Sequence, residues 1–439
     1  MRYILYTLYS LLLGLFFILV LPLLVWRDLR SGKYRGSVAA RFGQLDAKLL
    51  ADCAQGKTIW LHAVSVGEAM AAKDLAKQLK ERYPDHLLVI STVTKTGRQV
   101  VLEQIPEADH HLYLPLDFRW VVKRVVRAIR PRLMVVMETE LWPHLFRAIG
   151  EAGTPLLVVN GRLSPGSYRN YYKFRAAMSP FLKPVRRFCM QSVLDGERMF
   201  AIIKDEARVQ TTGNIKYDQA LTLPKKEAWQ QLKRALGPLP AQQQCIMAAS
   251  THSGEETIVL QSFTTLRQQF PELRLILAPR HPERSDEVAG LIQQAGFTTT
   301  RLSQAAGHWR EPVLLVDGIG WLTRLYRGCH GVYMGGSLIP RGGQNMLEPS
   351  AWGVPTLFGP HTFNFKHISQ QLCESGGAIR VEDEQMLTQG FQLLLEKPEL
   401  RNRMGEAAKQ VVTRNTGALA RTMEQITELY PATNQGPKA

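Results

Sequence analysis

Cysteine is scarce in this chain and falls into no pattern. Five residues, Cys53, Cys189, Cys245, Cys329 and Cys373, stand among 439, an odd number with no C-x-x-C pair. That excludes a disulfide framework and a zinc-finger-type site, and it reads as reduced thiols of a cytosolic environment. Acid is scarce as well: 38 Asp and Glu stand against 54 Lys and Arg, a net charge of +16. A chain this basic favours anionic partners, whether nucleic acid, an anionic membrane or phosphorylated substrates. There is no short repeat and no low-complexity tract, and no Asp-x-Asp metal motif stands out.

Charge of either sign is missing from Tyr3 to Trp26. The run is long enough to cross a hydrocarbon core, which takes about 20 apolar residues. A secretory signal would have a shorter apolar core and end at a small-residue cleavage site. Here Pro22-Leu-Leu-Val-Trp26 follows, and Trp26 suits an interface. Residues 1–27 therefore read as an uncleaved membrane anchor, spanning or re-entrant. Arg27, Arg30, Lys33, Arg35 and Arg41 come next, against one acid, Asp28. The positive-inside rule puts this flank, and the body behind it, on the cytoplasmic face. The same cations suit anionic headgroups, although each taken singly is an ordinary solvated loop residue.

A strand–helix rhythm then fills the chain. Strands are expected at Thr58–Ala63, Leu87–Thr92, His111–Leu114, Leu133–Met137, Pro155–Val159, Phe188–Met190 and Val209–Thr212. After a Pro-rich break near Asp218 to Pro240 they resume at Cys245–Ala249, Leu273–Ala278, Val313–Val316, Gly331–Met334, Pro355–Phe358 and Ala378–Val381. Alternating β and α segments imply parallel sheets wrapped by helices. The fold class is α/β, with two Rossmann-like domains at 28–220 and 221–430, a linker between them and a frayed tail at 431–439.

In such sheets ligands bind at the carboxyl ends of strands, and several polar stretches lie there. Thr58 to Glu68 ends in Ser65-Val-Gly-Glu68 before an amphipathic run. Ser65 and Glu68 have the S-x-x-E spacing of a capping box, but Glu68 is also placed to act as a general base. Met137-Glu-Thr-Glu-Leu-Trp-Pro143 puts Glu138 and Glu140 at another strand end, where they serve a helix dipole or a site. From Arg162 to Arg187 there are seven cations, Arg162, Arg169, Lys173, Arg175, Lys183, Arg186 and Arg187, and no acid. Tyr168, Tyr171, Tyr172, Phe174, Phe181 and Phe188 accompany them. That mixture suits a membrane-interface surface or single-stranded nucleic acid, and the neighbouring anchor favours lipid.

In the second half, Ser250-Thr-His-Ser-Gly-Glu-Glu256 opens a helix that it caps, or where it binds phosphate. Arg280, in Pro279-Arg-His-Pro-Glu-Arg284, is placed to grip a phosphate or carboxylate. Met334 to Phe365 is rich in glycine, but it is neither a P-loop nor a G-x-G-x-x-G fingerprint. Amides at a helix start near Asn345 are expected to cradle phosphate, with Glu348 a turn further in.

Eight ordered blocks carry a resemblance: HAVSVGE at 62–68, METELWP at 137–143, NGRLS at 160–164, GNIKYD at 213–218, STHSGEE at 250–256, PRHPER at 279–284, GGSLIPRGGQNMLEP at 335–349 and GPHTFNF at 359–365. Together, from the anchor to about Arg421, they resemble the bacterial Kdo transferases, which attach 3-deoxy-D-manno-oct-2-ulosonic acid (Kdo) to lipid A precursors. The resemblance implies the GT-B fold, two facing Rossmann-like domains, the first for the acceptor and the second for the CMP-sugar. It implies Glu68 as the catalytic base. CMP contacts are implied for Pro279 and Arg280, for Ile319, Gly320 and Trp321, and for Asn345, Met346, Leu347 and Glu348. The family's second CMP segment reads close to D-T-M-G-E-L, whereas this chain has Asp317-Gly-Ile-Gly-Trp-Leu322. Met346 stands where proline is usual. Ser65, Gly67, Glu138, Arg162 and Lys216 fall in matching blocks, implying a place at the acceptor or the transition state.

The implied activity is inverting transfer of Kdo from CMP-Kdo to lipid IVA, a phosphorylated lipid A precursor, in lipopolysaccharide core biosynthesis. It implies no cofactor and no protein-bound metal, with CMP-Kdo as donor substrate. The implied place is the cytoplasmic face of an anionic inner membrane. Two rivals stand beside it: a membrane-bound GT-B enzyme using a UDP-sugar, and a non-catalytic protein that binds anionic lipid. Nucleic acid is a poor partner, because the charge lies beside an anchor and no recognition motif occurs.

Overall fold

A computed structural model describes residues 2–31, 37–221, 226–237, 244–305, 307 and 309–431. The chain divides into two compact units, Met1–Ile215 with Thr416–Ala439, and Lys216–Asn415. The first unit holds a seven-stranded parallel sheet: β1 Lys57–His62, β2 His86–Thr92, β3 His110–Tyr113, β4 Pro131–Met137, β5 Leu156–Gly161, β6 Arg187–Met190 and β7 Val209–Thr211, in the order β3-β2-β1-β4-β5-β6-β7. The second repeats the plan with β8 Cys245–Thr251, β9 Arg274–Pro279, β10 Thr299–Arg301, β11 Val313–Leu315, β12 Gly331–Met334, β13 Thr356–Phe358 and β14 Ala378–Arg380, in the order β10-β11-β9-β8-β12-β13-β14.

The central strands are near-continuous runs of Val, Ile, Leu and Met because helices cover both faces of each sheet. Trp60, Met134 and Val136 face one side of the first sheet, and Leu61, Leu133 and Val135 the other, each side closed by its own cluster of apolar helix residues. Winding reverses between β1 and β4 in the first sheet and between β8 and β12 in the second. At such a point the loops leave in opposite directions and open a crevice at the strand ends.

The structure departs from the expected layout in four places. β10 was not foreseen: Thr299-Thr-Arg301 is a short polar edge strand with no apolar run to mark it. The expected linker contains a helix, Lys226–Leu236, whose Leu232 and Leu236 enter the second unit's core; residues 222–225 and 238–243 lie outside the described part. The second unit opens at Lys216 rather than 221 and closes at Asn415. Ala418–Leu429 then returns to the first unit, burying Ala418 and Ile426 beside Leu75 and Leu79. The tail from 432 is outside the described residues.

The Arg2–Ser31 helix includes a stretch, Tyr3–Val20, long and apolar enough to cross a membrane by length and composition. The side chains of the expected basic flank at Arg27, Arg30, Lys33 and Arg35 are outside the described part. Arg41 is not a free flank cation, because it turns inward to the carbonyl of Val93 and lies 5.0 Å from the Tyr113 ring.

Leu61 is fully buried in β1, where the first sheet packs on its helices. Leu61→Ala is expected to cost about 2–5 kcal/mol through lost burial and a residual cavity. Urea unfolding of the full chain checks this, and an unchanged midpoint would contradict the packing described.

Candidate active site

The first unit gathers carboxylates at its switch point. β1 ends at His62, and the helix Val66–Arg82 starts four residues later with Glu68 in its first turn. Glu68 folds back: one oxygen accepts the Val64 N–H at 2.7 Å and the other accepts the Ser65 hydroxyl at 3.1 Å. This differs from the expected capping box, since Ser65 caps no helix amide with its side chain. Glu68 is 8% exposed. Burial pushes its pKa up to about 7; the Val64 and Ser65 hydrogen bonds oppose the rise, and the charges of Glu138 and Glu140 add to it. The result is a carboxylate that changes charge near neutral pH, as a general base requires.

His62 of the same block does different work. It is fully buried, its Nδ1 lies 2.9 Å from the Ser91 hydroxyl of β2, and burial lowers its pKa to about 4. It is a neutral tie between strands rather than an acid or base.

β4 and β5 supply the neighbouring edge. Glu138 follows β4 with φ +55°, and Asn160, at the end of β5, has φ +54°. Left-handed backbone costs non-glycine residues about 1–3 kcal/mol and persists only where surroundings enforce it. Here the Glu138 N–H donates to the Val159 carbonyl at 2.8 Å, and the Asn160 Oδ1 accepts the Ile215 N–H at 3.1 Å. Thr139 clips the two loops together, donating to the Arg162 carbonyl at 2.6 Å and accepting the Arg162 N–H at 2.9 Å. The Arg162 side chain is exposed, and Gly67 is exposed beside Glu68. Glu140 is half-buried, its pKa raised by burial and by Glu138. Thus Ser65, Gly67, Glu68, Glu138 and Arg162 are carried on strand ends around one switch point. Lys216 falls in the second unit, its ammonium 5.7 Å from the Phe365 ring.

In the second unit Glu255 is the organising group, and the sequence did not single it out. Its side chain is wholly buried and accepts five hydrogen bonds: from the N–H groups of His252 (3.0 Å), Gly336 (2.7 Å), Ser337 (3.0 Å) and Leu338 (3.1 Å), and from the Tyr333 hydroxyl (2.6 Å). One carboxylate therefore joins the loop after β8 to the loop after β12. The approach is so close that a Cβ on Gly335 would stand 2.4 Å from the Ser250 carbonyl oxygen. Glu256, also wholly buried, receives Arg284 at 2.8 Å and fixes the turn after β9. The stretch was expected to cap the helix or to bind phosphate at its start; Gly254 at the cap makes no side-chain cap bond, and the two acids serve internal scaffolding. Only their adjacency at a strand end hinted at it.

That scaffold presents cations. Arg280 is exposed, its N–H held by the Thr251 carbonyl at 2.9 Å. Burial lowers the His252 pKa; Glu255 opposes this, while His281, Arg341 and Arg280 lower it further. Four potential cations therefore share one field. Glu348 is within reach of Arg280's charge, and burial raises its pKa. Asn345 donates to Glu348 at 3.1 Å and accepts the Leu347 N–H at 3.2 Å.

Other expected CMP contacts fare differently. Met346 and Leu347 are fully buried in the core, so their side chains face away from any ligand. The helix they begin, Leu347–Ala351, is five residues long, and its Leu347 amide is taken by the Asn345 Oδ1. Ile319 is 85% exposed, and Gly320 turns at φ +85°. Trp321 packs against the core with Arg324 4.8 Å over its ring, a structural use of the position. Pro279 ends β9 and is buried. Among the described residues, no group of three or more His, Cys, Asp or Glu is placed to hold a metal ion.

Residues 36–219 match the family model described as 3-deoxy-D-manno-octulosonic-acid transferase (kdotransferase). A 3-deoxy-D-manno-octulosonic acid transferase from Haemophilus influenzae is 34% identical over 404 residues, covering 91% of this chain and 92% of the relative. The chain belongs to the Kdo transferase family. The Bordetella pertussis transferase is 32% identical, covering 92% of this chain and 94% of its own length. Among solved structures, the UDP-GlcNAc 2-epimerase of Neisseria meningitidis superposes with a TM-score of 0.59 at 14% identity, over 84% of this chain and all of that one. A glycosyltransferase from Rickettsia africae does so at 0.54 and 14% identity, over 86% of this chain and all of that one. These establish the GT-B fold, and the family makes this Kdo transferase a glycosyltransferase of lipopolysaccharide synthesis.

Glu255→Gln replaces an acceptor oxygen with a donor nitrogen and leaves about two buried N–H or O–H groups unpaired, at about 1–3 kcal/mol each. The expected outcome is a lower melting temperature by calorimetry. An unchanged melting temperature would show that the two loops are held together without Glu255.

Proposed function

We propose that the enzyme moves Kdo from CMP-Kdo to lipid IVA by a single inverting displacement with Glu68 as the base. The observation that carries this reading is the Glu68 carboxylate: buried, turned back on its strand end, and poised near pH 7 beside two other acids. The acceptor hydroxyl gives its proton to Glu68 as its oxygen attacks the anomeric carbon of Kdo. The bond from that carbon to the phosphate oxygen breaks, and CMP departs with the electron pair. Arg280 and the cations around it meet the charge that grows on the phosphate. Asn345, Glu348, Ile319, Gly320 and Pro279 frame the CMP, Trp321 supports that loop from beneath, and Met346 and Leu347 take part only through backbone.

Ser65 and Gly67 shape the acceptor side. Glu138, Arg162 and Lys216 orient the acceptor or stabilise the transition state. In this account no cofactor is involved and no metal is held by the protein. The first unit is the acceptor unit, the second the donor unit, and both work on the cytoplasmic face of an anionic inner membrane. The exposed cations Arg169, Lys173 and Arg175 and the missing acids around them support a phosphorylated amphiphile as acceptor.

The base must be ionised to work, so transfer is lost as pH falls through its pKa. kcat/KM for CMP-Kdo and lipid IVA is expected to rise with pH along a limb centred near 7. Glu138→Gln removes a charge that raises the Glu68 pKa, so its limb moves to lower pH whatever happens to the plateau. A limb near 4.5, or one that Glu138→Gln leaves in place, would contradict the assignment. Calorimetry with CMP against UDP tests the donor separately, with CMP expected to bind the more tightly.

A further inference from the structure

The Arg2–Ser31 helix is fastened to the first unit along one side. The Tyr6 hydroxyl donates to the Pro180 carbonyl at 3.2 Å, and Tyr6 is 2% exposed. The Tyr9 hydroxyl donates to Asp117 at 2.9 Å, and Ser10 lies 2.8 Å from the His144 Nε2. Asp117 itself is buried and holds the start of the Pro143–Glu151 helix through the N–H groups of His144 and Leu145. Arg147 of that helix sits 4.7 Å from the Tyr6 ring and 5.5 Å from the Tyr3 ring. Further along, Phe17 packs edge-on against Phe42 and Phe118. Residues 6, 9, 10 and 17 form a helical stripe.

The other side is bare. Ile4, Leu8, Leu11, Leu12, Leu15, Ile18 and Leu19 are 50–70% exposed. Crossing a bilayer takes about 20 helical residues in contact with hydrocarbon. Here Tyr3 to Phe17, about 21 Å of helix at 1.5 Å per residue, already lies against folded protein. Between Phe17 and the first charge at Arg27 only nine residues remain, roughly 13 Å. Placing Tyr3–Val20 across a membrane would draw Asp117, His144 and Arg147 into hydrocarbon with it, which is strongly unfavourable.

We propose that this helix does not cross the membrane. It lies in the plane of one leaflet, bound to the first unit by its tyrosine and serine stripe, with its leucine and isoleucine face in the acyl chains beneath the headgroups. The occupant of that face is phospholipid. Nearby chemistry fits an anionic leaflet: the Arg175–Leu182 helix that receives Tyr6 begins at an exposed corner of Tyr172 and Phe174 beside Arg169, Lys173 and Arg175. The inference concerns the membrane alone and does not rest on the donor or acceptor proposed above.

The test uses the full chain in phosphatidylethanolamine–phosphatidylglycerol vesicles. Ile4→Cys, Leu11→Cys, Leu15→Cys and Leu19→Cys, each at an exposed site and made singly, carry an environment-sensitive fluorophore. Quenchers sit on lipids either near the headgroup or near the chain end. An in-plane helix gives all four positions the same ratio of shallow to deep quenching, with shallow the stronger. A crossing helix would overturn the proposal by placing Leu11 deepest and Ile4 and Leu19 shallow. Absence of quenching at every position would overturn it too, because the face would then be covered by protein. Kdo transfer measured on the same vesicles keeps a failure of this inference separate from a failure of the enzyme assignment.

Discussion

The hydrogen bond from the Val64 N–H to Glu68 is the constraint on which the placement of the first unit's central carboxylate depends. It turns the carboxylate back over the end of β1, where the winding of the sheet reverses, and it is the main force keeping the group ionisable once buried. Burial, Glu138 and Glu140 push the other way, and the balance falls near pH 7. A weaker bond would leave a protonated acid at neutral pH. A more exposed site would leave a weak base. The left-handed turns at Glu138 and Asn160 and the Thr139–Arg162 clip hold the neighbouring strand ends that shape this environment.

The second unit solves the matching problem with the opposite use of a carboxylate. Glu255 is taken up entirely by backbone and one tyrosine, so it has nothing left for a ligand. What it does is hold two loops closer than any side chain at Gly335 would permit. The exposed cations are thereby fixed on a rigid frame, which is the condition under which they would stabilise the leaving group of the proposed transfer. On the proposed mechanism Glu68 acts chemically because it is partly satisfied, whereas Glu255 acts structurally because it is fully satisfied.

Much of this was legible in the amino-acid order. The strand–helix rhythm marked thirteen of the fourteen strands, most plainly the central ones, because buried parallel strands are written in Val, Ile and Leu. The polar residues that follow those runs, Glu68, Glu138, Arg162 and Arg280, lie at strand ends for the same reason. β10 was missed because an edge strand of Thr, Thr and Arg carries no such mark. Glu255 went unnoticed because most partners of this scaffold carboxylate lie about 80 residues away in the chain. Arg41 looked like a membrane cation, and only tertiary contacts with Val93 and Tyr113 reveal its inward turn. The return of the last helix to the first unit likewise depends on packing that no local pattern encodes.

The central claim is that Glu68 is the base in Kdo transfer, and mass spectrometry of the lipid product tests it most directly. Full-length enzyme in vesicles would be given freshly made CMP-Kdo and lipid IVA beside the Glu68→Gln variant, which keeps the shape and removes the charge. The account predicts a lipid gaining the mass of Kdo with the wild-type chain. It predicts initial rates about 10²–10⁴-fold lower in the variant, with CMP affinity retained. A variant that transfers Kdo at the wild-type rate would contradict the account and leave Glu68 as a residue that only closes the turn after β1.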